Sequence, residues 1–200
     1  MHSLVIVVGD KPLAEVMGPF DETLAVPKYV VGPVKESDKE RFIEYYNEHT
    51  KGFHFCMDDF DELYAEKGDD WNDRLWEKDE NGEWVEVSNW NQDSQWDWYE
   101  VGGRWAGALE LKDGAEPLAP INFSWSWNEE QKRTVLNASP KRADIARLGD
   151  IANIEDLTAY AILKDGEWID IGEGIMFTNV SEYLKGLPED TIITCVDYHC

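Results

Sequence analysis

From Trp71 onward the chain is cut at short intervals by turn-forming pairs: Asn81-Gly82, Gly102-Gly103, Asp113-Gly114 and Asp165-Gly166. Such pairs take up backbone conformations that a helix does not hold, so this stretch predicts short strands joined by tight turns. Asn81-Gly82 separates Leu75 to Glu80 from Glu83 to Val87, and Asp165-Gly166 separates Ala159 to Lys164 from Glu167 to Ile171. Both read as two-residue hairpins. In the first, Trp84 and Glu86 share one face and Val85 and Val87 the other. Gln95 to Val101 and Arg104 to Leu111 read as strands on either side of the glycine pair. Ile121, Phe123, Trp125 and Trp127 alternate with Asn122, Ser124 and Ser126, which predicts a strand with one buried face.

Helices fall mainly before residue 70. Leu4 to Val8 reads as a buried strand, and Pro12, Gly18, Pro19, Pro27, Gly32 and Pro33 exclude a long helix after it, leaving one extended piece at Tyr29 to Val31. Ser37 and Glu40 form a capping-box pattern ahead of Phe42, Ile43, Tyr45 and Tyr46, predicting a helix from Asp38 to Glu48. Phe60, Leu63 and Tyr64 predict a second from Asp58 to Lys67, stopped by Gly68. Val180 to Lys185 reads as a short helix, and the β-rich, charge-poor run Thr191 to Tyr198 as a central strand. The expectation is one α+β domain over residues 1–200, mainly antiparallel sheet, with a few helices packed on one side.

Composition narrows the function classes. The chain carries 42 Asp+Glu against 18 Lys+Arg, a formal net charge of -24. That balance excludes ordinary binding of a phosphate backbone, which needs a basic face. With 42% hydrophobic residues the chain has the material for a core. No run approaches the roughly 18 apolar residues of a membrane span, and Leu4 to Val8 is too short for a signal-peptide core. Three cysteines, Cys56, Cys195 and Cys200, form no disulfide framework, so the expected setting is a reducing cytoplasm.

The familiar catalytic patterns are missing: no zinc-protease helix motif, no nucleophile elbow, no phosphate-binding loop and no dinucleotide fingerprint. His54, Cys56, Cys195, His199 and Cys200 are of the right type for zinc, but their spacing matches no usual ligand pattern, so no metal and no cofactor is expected. The densest chemistry lies in Trp96-Asp97-Trp98-Tyr99-Glu100-Val101-Gly102-Gly103-Arg104-Trp105. It supports either a packed aromatic core or a pocket in which Asp97, Tyr99 and Arg104, joined by Asp197 or His199, hold a nucleotide-like ligand. Together with the ending Val196-Asp197-Tyr198-His199-Cys200 and the stretch Pro19-Phe20-Asp21-Glu22, this run resembles an uncharacterised family of phage and actinobacterial proteins. The resemblance implies a phage or mobile-element setting and no particular activity. Tyr198 and Cys200 depart from the family ending, which has Cys and Ile there.

Acidity is concentrated between residues 58 and 100, where Lys67, Arg74 and Lys78 oppose a long series of carboxylates. The reading that follows is a protein acting by interaction rather than catalysis, a nucleic-acid mimic that occupies the groove of a basic host protein handling DNA or RNA, in the host cytoplasm if phage-encoded; the alternative is a nucleotide-like ligand binder or enzyme with its pocket around Arg104. Asp58, Asp59, Asp61, Glu62, Asp69, Asp70 and Asp73 would supply the charge, with Trp71 and Trp76 as hydrophobic anchors.

Overall fold

The structure, a computed structural model, describes residues 1–49, 60–67, 75–172 and 176–200. In chain order the first elements are β1 (His2–Val8), α1 (Leu13–Met17), β2 (Tyr29–Pro33), α2 (Glu36–His49) and α3 (Phe60–Lys67). Next come β3 (Leu75–Lys78), β4 (Trp84–Ser88), β5 (Trp98–Val101), β6 (Leu109–Glu110) and α4 (Glu129–Leu136). The remainder is β7 (Arg142–Ala143), β8 (Ile145–Arg147), β9 (Thr158–Ala159), β10 (Ala161–Lys164), β11 (Glu167–Asp170), β12 (Thr178–Asn179), α5 (Ser181–Leu184) and β13 (Ile192–His199). Helix and strand are mixed and the sheets mainly antiparallel, as the turn spacing implies. Packing divides the chain, read from sequence as one domain, into two compact units: Met1–Leu24 with Gln92–Cys200, and Ala25–Asn91.

The larger unit is built on a six-stranded sheet in which β11, β10, β1, β13 and β5 lie side by side and β8 also pairs with β13. Strand β13 is central because Ile193 to Tyr198 is almost free of charge and buried throughout. It runs antiparallel to β1 along its whole length, Val5 opposite Val196. Its other edge is shared end to end: β8 takes Ile192 to Thr194 and β5 takes Val196 to His199. Between them, Cys195 N donates to Asp144 O and Cys195 O accepts from Gly102 N, both at 2.9 Å. Among the strands of the described residues, only β1 and β10 pair in parallel.

The sheet is buried on both faces, which explains why Leu4 to Val8 reads as an unbroken apolar run. Leu4 and Ile6 pack with Leu109, Ile162, Ile193 and Cys195 on one side. Val5 and Val7 pack with Met17, Phe20, Trp96, Val196 and Tyr198 on the other. Leu184 of α5 joins the first layer and Met17 of α1 the second, so helices cover both faces rather than the single face expected.

Two turns show how local chemistry decides pairing. Asp165 and Gly166 adopt φ 55° and 81° between the paired residues Lys164 and Glu167, the two-residue hairpin turn that Asp-Gly favours. Asn81-Gly82 is different. Only Gly82 is left-handed, at φ 83°, and the loop runs from Asp79 to Glu83, with Gly82 N donating to Asp79 O and Asp79 N to Glu83 O. The Asp79 carboxylate accepts from the Asn81 and Glu83 amides, which stabilises the longer loop and holds its own titration below the usual carboxylate range, the Glu83 amide contributing most.

Other expectations fail for physical reasons. Ile121 to Trp127 forms no strand: apart from one bridge at Phe123 it turns, with Trp127 N donating to Ser124 O. Ser124 is buried, whereas Trp125 stands 92% exposed, the reverse of the alternation. Arg104 to Leu111 is mostly turn, with a two-residue strand at its end. Helix α4 follows, started by a capping box in which the Asn128 side chain accepts from the Glu130 and Gln131 amides and Gln131 returns the bond. Asn128→Ala should cost about 1 kcal/mol. A urea midpoint identical to the parent chain's would show that the cap contributes nothing.

In the smaller unit β2, β4 and β3 form an antiparallel sheet, with α2 and α3 bringing Phe42 and Leu63 into a core with Trp76. Helix α2 covers the predicted Asp38 to Glu48. The second predicted helix is seen from Phe60; Asp58 and Asp59 lie outside the described residues.

Candidate functional site

The Trp96 to Trp105 run divides its chemistry between the two faces of the sheet. Trp96 is a core residue whose indole donates to Met17 O at 3.0 Å and whose ring meets Tyr99 edge-on at 4.7 Å. Two residues on, Trp98 faces the other way and is 43% exposed. That face also carries Glu100 of β5, Asp197 and His199 of β13, and His2 of β1, since Trp98 lies opposite His199 and His199 opposite His2.

Two histidine-carboxylate pairs result. His199 Nδ1 lies 2.9 and 3.0 Å from the two oxygens of Asp97, and His2 Nδ1 lies 2.9 Å from Asp197 Oδ1. The two imidazoles meet at 5.2 Å between ring centroids, and Trp98 stands 5.7 Å from His2. Asp197 is fully buried, and its second oxygen accepts from Arg104 N at 3.0 Å. So residue 104 serves the site through its backbone. Its guanidinium makes no ion pair among the described residues, and the Asp97 carboxylate is engaged by His199.

Behind Asp197 a second buried carboxylate organises the glycine pair. Asp144 accepts from Gly107 N at 2.6 Å and from Asn122 N at 2.7 Å. Burial pushes its titration above the ordinary carboxylate value, against the pull of the two amides. Asn122 closes the unit: its side-chain amide donates to Val101 O at 2.7 Å and its carbonyl accepts from Gly103 N at 2.9 Å. Gly102 and Gly103 both adopt positive φ, at 69° and 59°, and a β-carbon on either would stand within 3 Å of Asp144 or Asp197.

Of the residues marked as ligand-binding, Asp97, Asp197 and His199 therefore come together, Arg104 joins them by its amide, and Tyr99 turns to the opposite face. A cleft of about 280 Å³ opens on that opposite face, lined by Glu22, Gln95, Trp96, Tyr160, Asp170 and Tyr198 among others. Burial raises the Tyr198 hydroxyl, so it stays protonated there. The residues a sequence reading misses are His2, Asn122 and Asp144. His2 had no signal of its own, because only the pairing of the first and last strands brings it to His199.

The residues marked as partner-binding fare differently. Asp58, Asp59, Asp69, Asp70, Trp71 and Asp73 lie outside the described residues. Asp61 pairs with Lys78 and accepts from the Trp84 indole, contacts that hold it below its usual range. Glu62 is exposed. Trp76 is 4% exposed, packed among Phe42, Leu63 and Tyr64, so it belongs to the core and cannot be an anchor for a partner. Trp90, at 53%, is exposed.

Among the candidate metal donors, Cys195 is fully buried in the sheet and its thiol is pushed up by burial, which keeps it from acting as a ligand or nucleophile. His54 and Cys56 lie outside the described residues. Among the described residues no three His, Cys, Asp or Glu side chains are placed to hold a metal ion, and no helix is long and apolar enough to cross a membrane. No family model, curated protein or solved structure matches the chain.

Proposed function

We propose that the chain acts by interaction, presenting exposed carboxylates to the cationic groove of a protein that handles DNA or RNA. Helix α2 supports this reading most directly. Glu36, Glu40, Glu44 and Glu48 recur every four residues, and all four are exposed. At the helical rise this spacing places successive carboxylates about 6 Å apart on one side of the helix. A strand of duplex DNA carries one charge per roughly 3.4 Å of axis, so the row has about half the linear charge density of a polynucleotide strand. It offers charge without bases. Lys39 pairs with Glu36 at 3.2 Å, at the first turn of the row.

Like charges four residues apart destabilise a helix by a few tenths of a kcal/mol per pair. The row is thus not a device for stability, and neutralising it should leave the fold intact or slightly firmer. Trp90 in the same unit replaces Trp76 as the exposed indole suited to anchoring a partner. The likeness of the Trp-rich run to phage and actinobacterial proteins directs the reading to a host defence protein in the bacterial cytoplasm.

The triple variant Glu40→Gln, Glu44→Gln, Glu48→Gln tests it. Immobilised beside the parent chain and exposed to bacterial lysate, the variant should capture at least about tenfold less of whatever basic protein the parent retains, with a melting temperature equal to the parent's or slightly above it. Equal capture by the two chains would refute the assignment of α2 as the contact.

A further inference from the structure

The pairing of β1 with β13 sets His2 directly opposite His199, and each imidazole is fixed by a carboxylate of its own. A carboxylate only accepts, so both Nδ1 atoms carry a proton, and in the neutral rings both Nε2 atoms offer a lone pair. Neither Nε2 has a hydrogen-bond partner among the described residues. Side chains of His2 and His199 are 26% and 41% exposed, so water and small cations reach them. Histidines that ligate metals characteristically donate the other ring N–H to a carboxylate, which orients the ring and makes the free nitrogen a better donor. Here that arrangement occurs twice, on rings 5.2 Å apart. With metal–nitrogen bonds of about 2.0–2.1 Å and a tetrahedral angle, two ligating imidazoles have centroids about 5 Å apart.

We propose that His2 and His199 chelate a divalent transition-metal cation, of which Zn²⁺ is the representative, through their Nε2 atoms. Asp197 and Asp97 act as orienting partners, and Trp98 stands against His2. The remaining coordination positions fall to water or to an incoming oxygen or nitrogen ligand, so the site is open and its affinity below that of a closed four-ligand centre. Asp97, Asp197 and Glu100 make the surroundings anionic, which favours a cation over the nucleotide-like ligand that the sequence suggests. Imidazole donors select Zn²⁺, Ni²⁺ or Cu²⁺ over Mg²⁺ and Ca²⁺.

Zn²⁺ titrated into the full chain, followed by calorimetry and by histidine side-chain NMR, tests this. One equivalent should bind, shifting the ring signals of His2 and His199, while Mg²⁺ shifts neither. His199→Gln should weaken binding at least tenfold, and Asp97→Asn, which leaves both histidines in place, by about tenfold. The double variant His49→Gln, His54→Gln should bind as the parent does. Absence of saturable binding, binding that survives His2→Gln with His199→Gln, or binding abolished by the 49/54 variant would each overturn the proposal. The NMR shifts on the unmodified chain keep the test independent of how any variant folds.

Discussion

Gly102→Ala is expected to destabilise the larger unit by about 2–5 kcal/mol. Two costs add: a left-handed backbone is unfavourable by about 1–2 kcal/mol for a residue with a β-carbon, and overpacking adds about 1–3 kcal/mol. The clash is specific. The new β-carbon would lie 2.3 Å from Asp144 Oδ2 and 2.7 Å from the backbone oxygen of Asn122. Asp144 cannot swing aside, because its two oxygens already serve the Gly107 and Asn122 amides, and moving it would leave the buried Gly107 donor unpaired. Relief must come from the turn that bonds β13 at Cys195, so β5 should lose its register on β13. Hydrogen exchange of the Trp98–Val101 and Ile192–His199 amides reports this directly. Protection equal to the parent chain's would mean that the glycine pair is a convenience of the loop and not a requirement of the buried carboxylates.

Phe42→Ala should cost the smaller unit a similar amount, about 3–5 kcal/mol, the usual range for deleting a fully buried aromatic ring. Phe42 is completely buried, and the rings of Tyr46, Phe60, Tyr64 and Trp76 surround it at centroid distances of 4.8, 5.6, 5.3 and 5.9 Å. The residues of Ala25–Asn91 form a unit small enough that its total stability is on the order of 3–10 kcal/mol. Losing its central ring should therefore unfold it or bring it close to unfolding at 25 °C. Near-ultraviolet circular dichroism and exchange of the Leu75–Lys78 and Trp84–Ser88 amides measure the effect. A variant with intact exchange protection in β3 and β4 would show that the aromatic cluster is not what holds this unit.

Elements whose chemistry is local were legible in the sequence. Asp165-Gly166 specifies its turn by itself, the residues after Ser37 specify α2 by spacing, and the charge-poor run ending at Tyr198 marks the central strand. The failures came where one pattern has two physical origins. Alternation from Ile121 to Trp127 arose in a turn whose Ser124 is buried and whose Trp125 faces solvent, and periodicity cannot distinguish that from a strand. At Asn81-Gly82 the pair alone implies a two-residue turn, and the Asp79 carboxylate three residues before the glycine selects the longer loop. Helix α4 had its signal in Asn128 and Gln131, where Asn replaces the commoner Ser or Thr of the capping box. The site was half legible: Asp97, Asp197 and His199 were singled out, but His2 and Asp144 join them only through pairings between distant parts of the chain, and Arg104 contributes its amide instead of its charge.

Salt dependence tests the central claim most directly. With the captured partner in hand, its affinity for the chain should be measured between 50 and 200 mM salt, with and without duplex DNA. Binding through carboxylates in a polynucleotide groove predicts a loss of about tenfold or more across that range and displacement by DNA. Affinity that stays flat with salt while the partner binds DNA and chain together would contradict it.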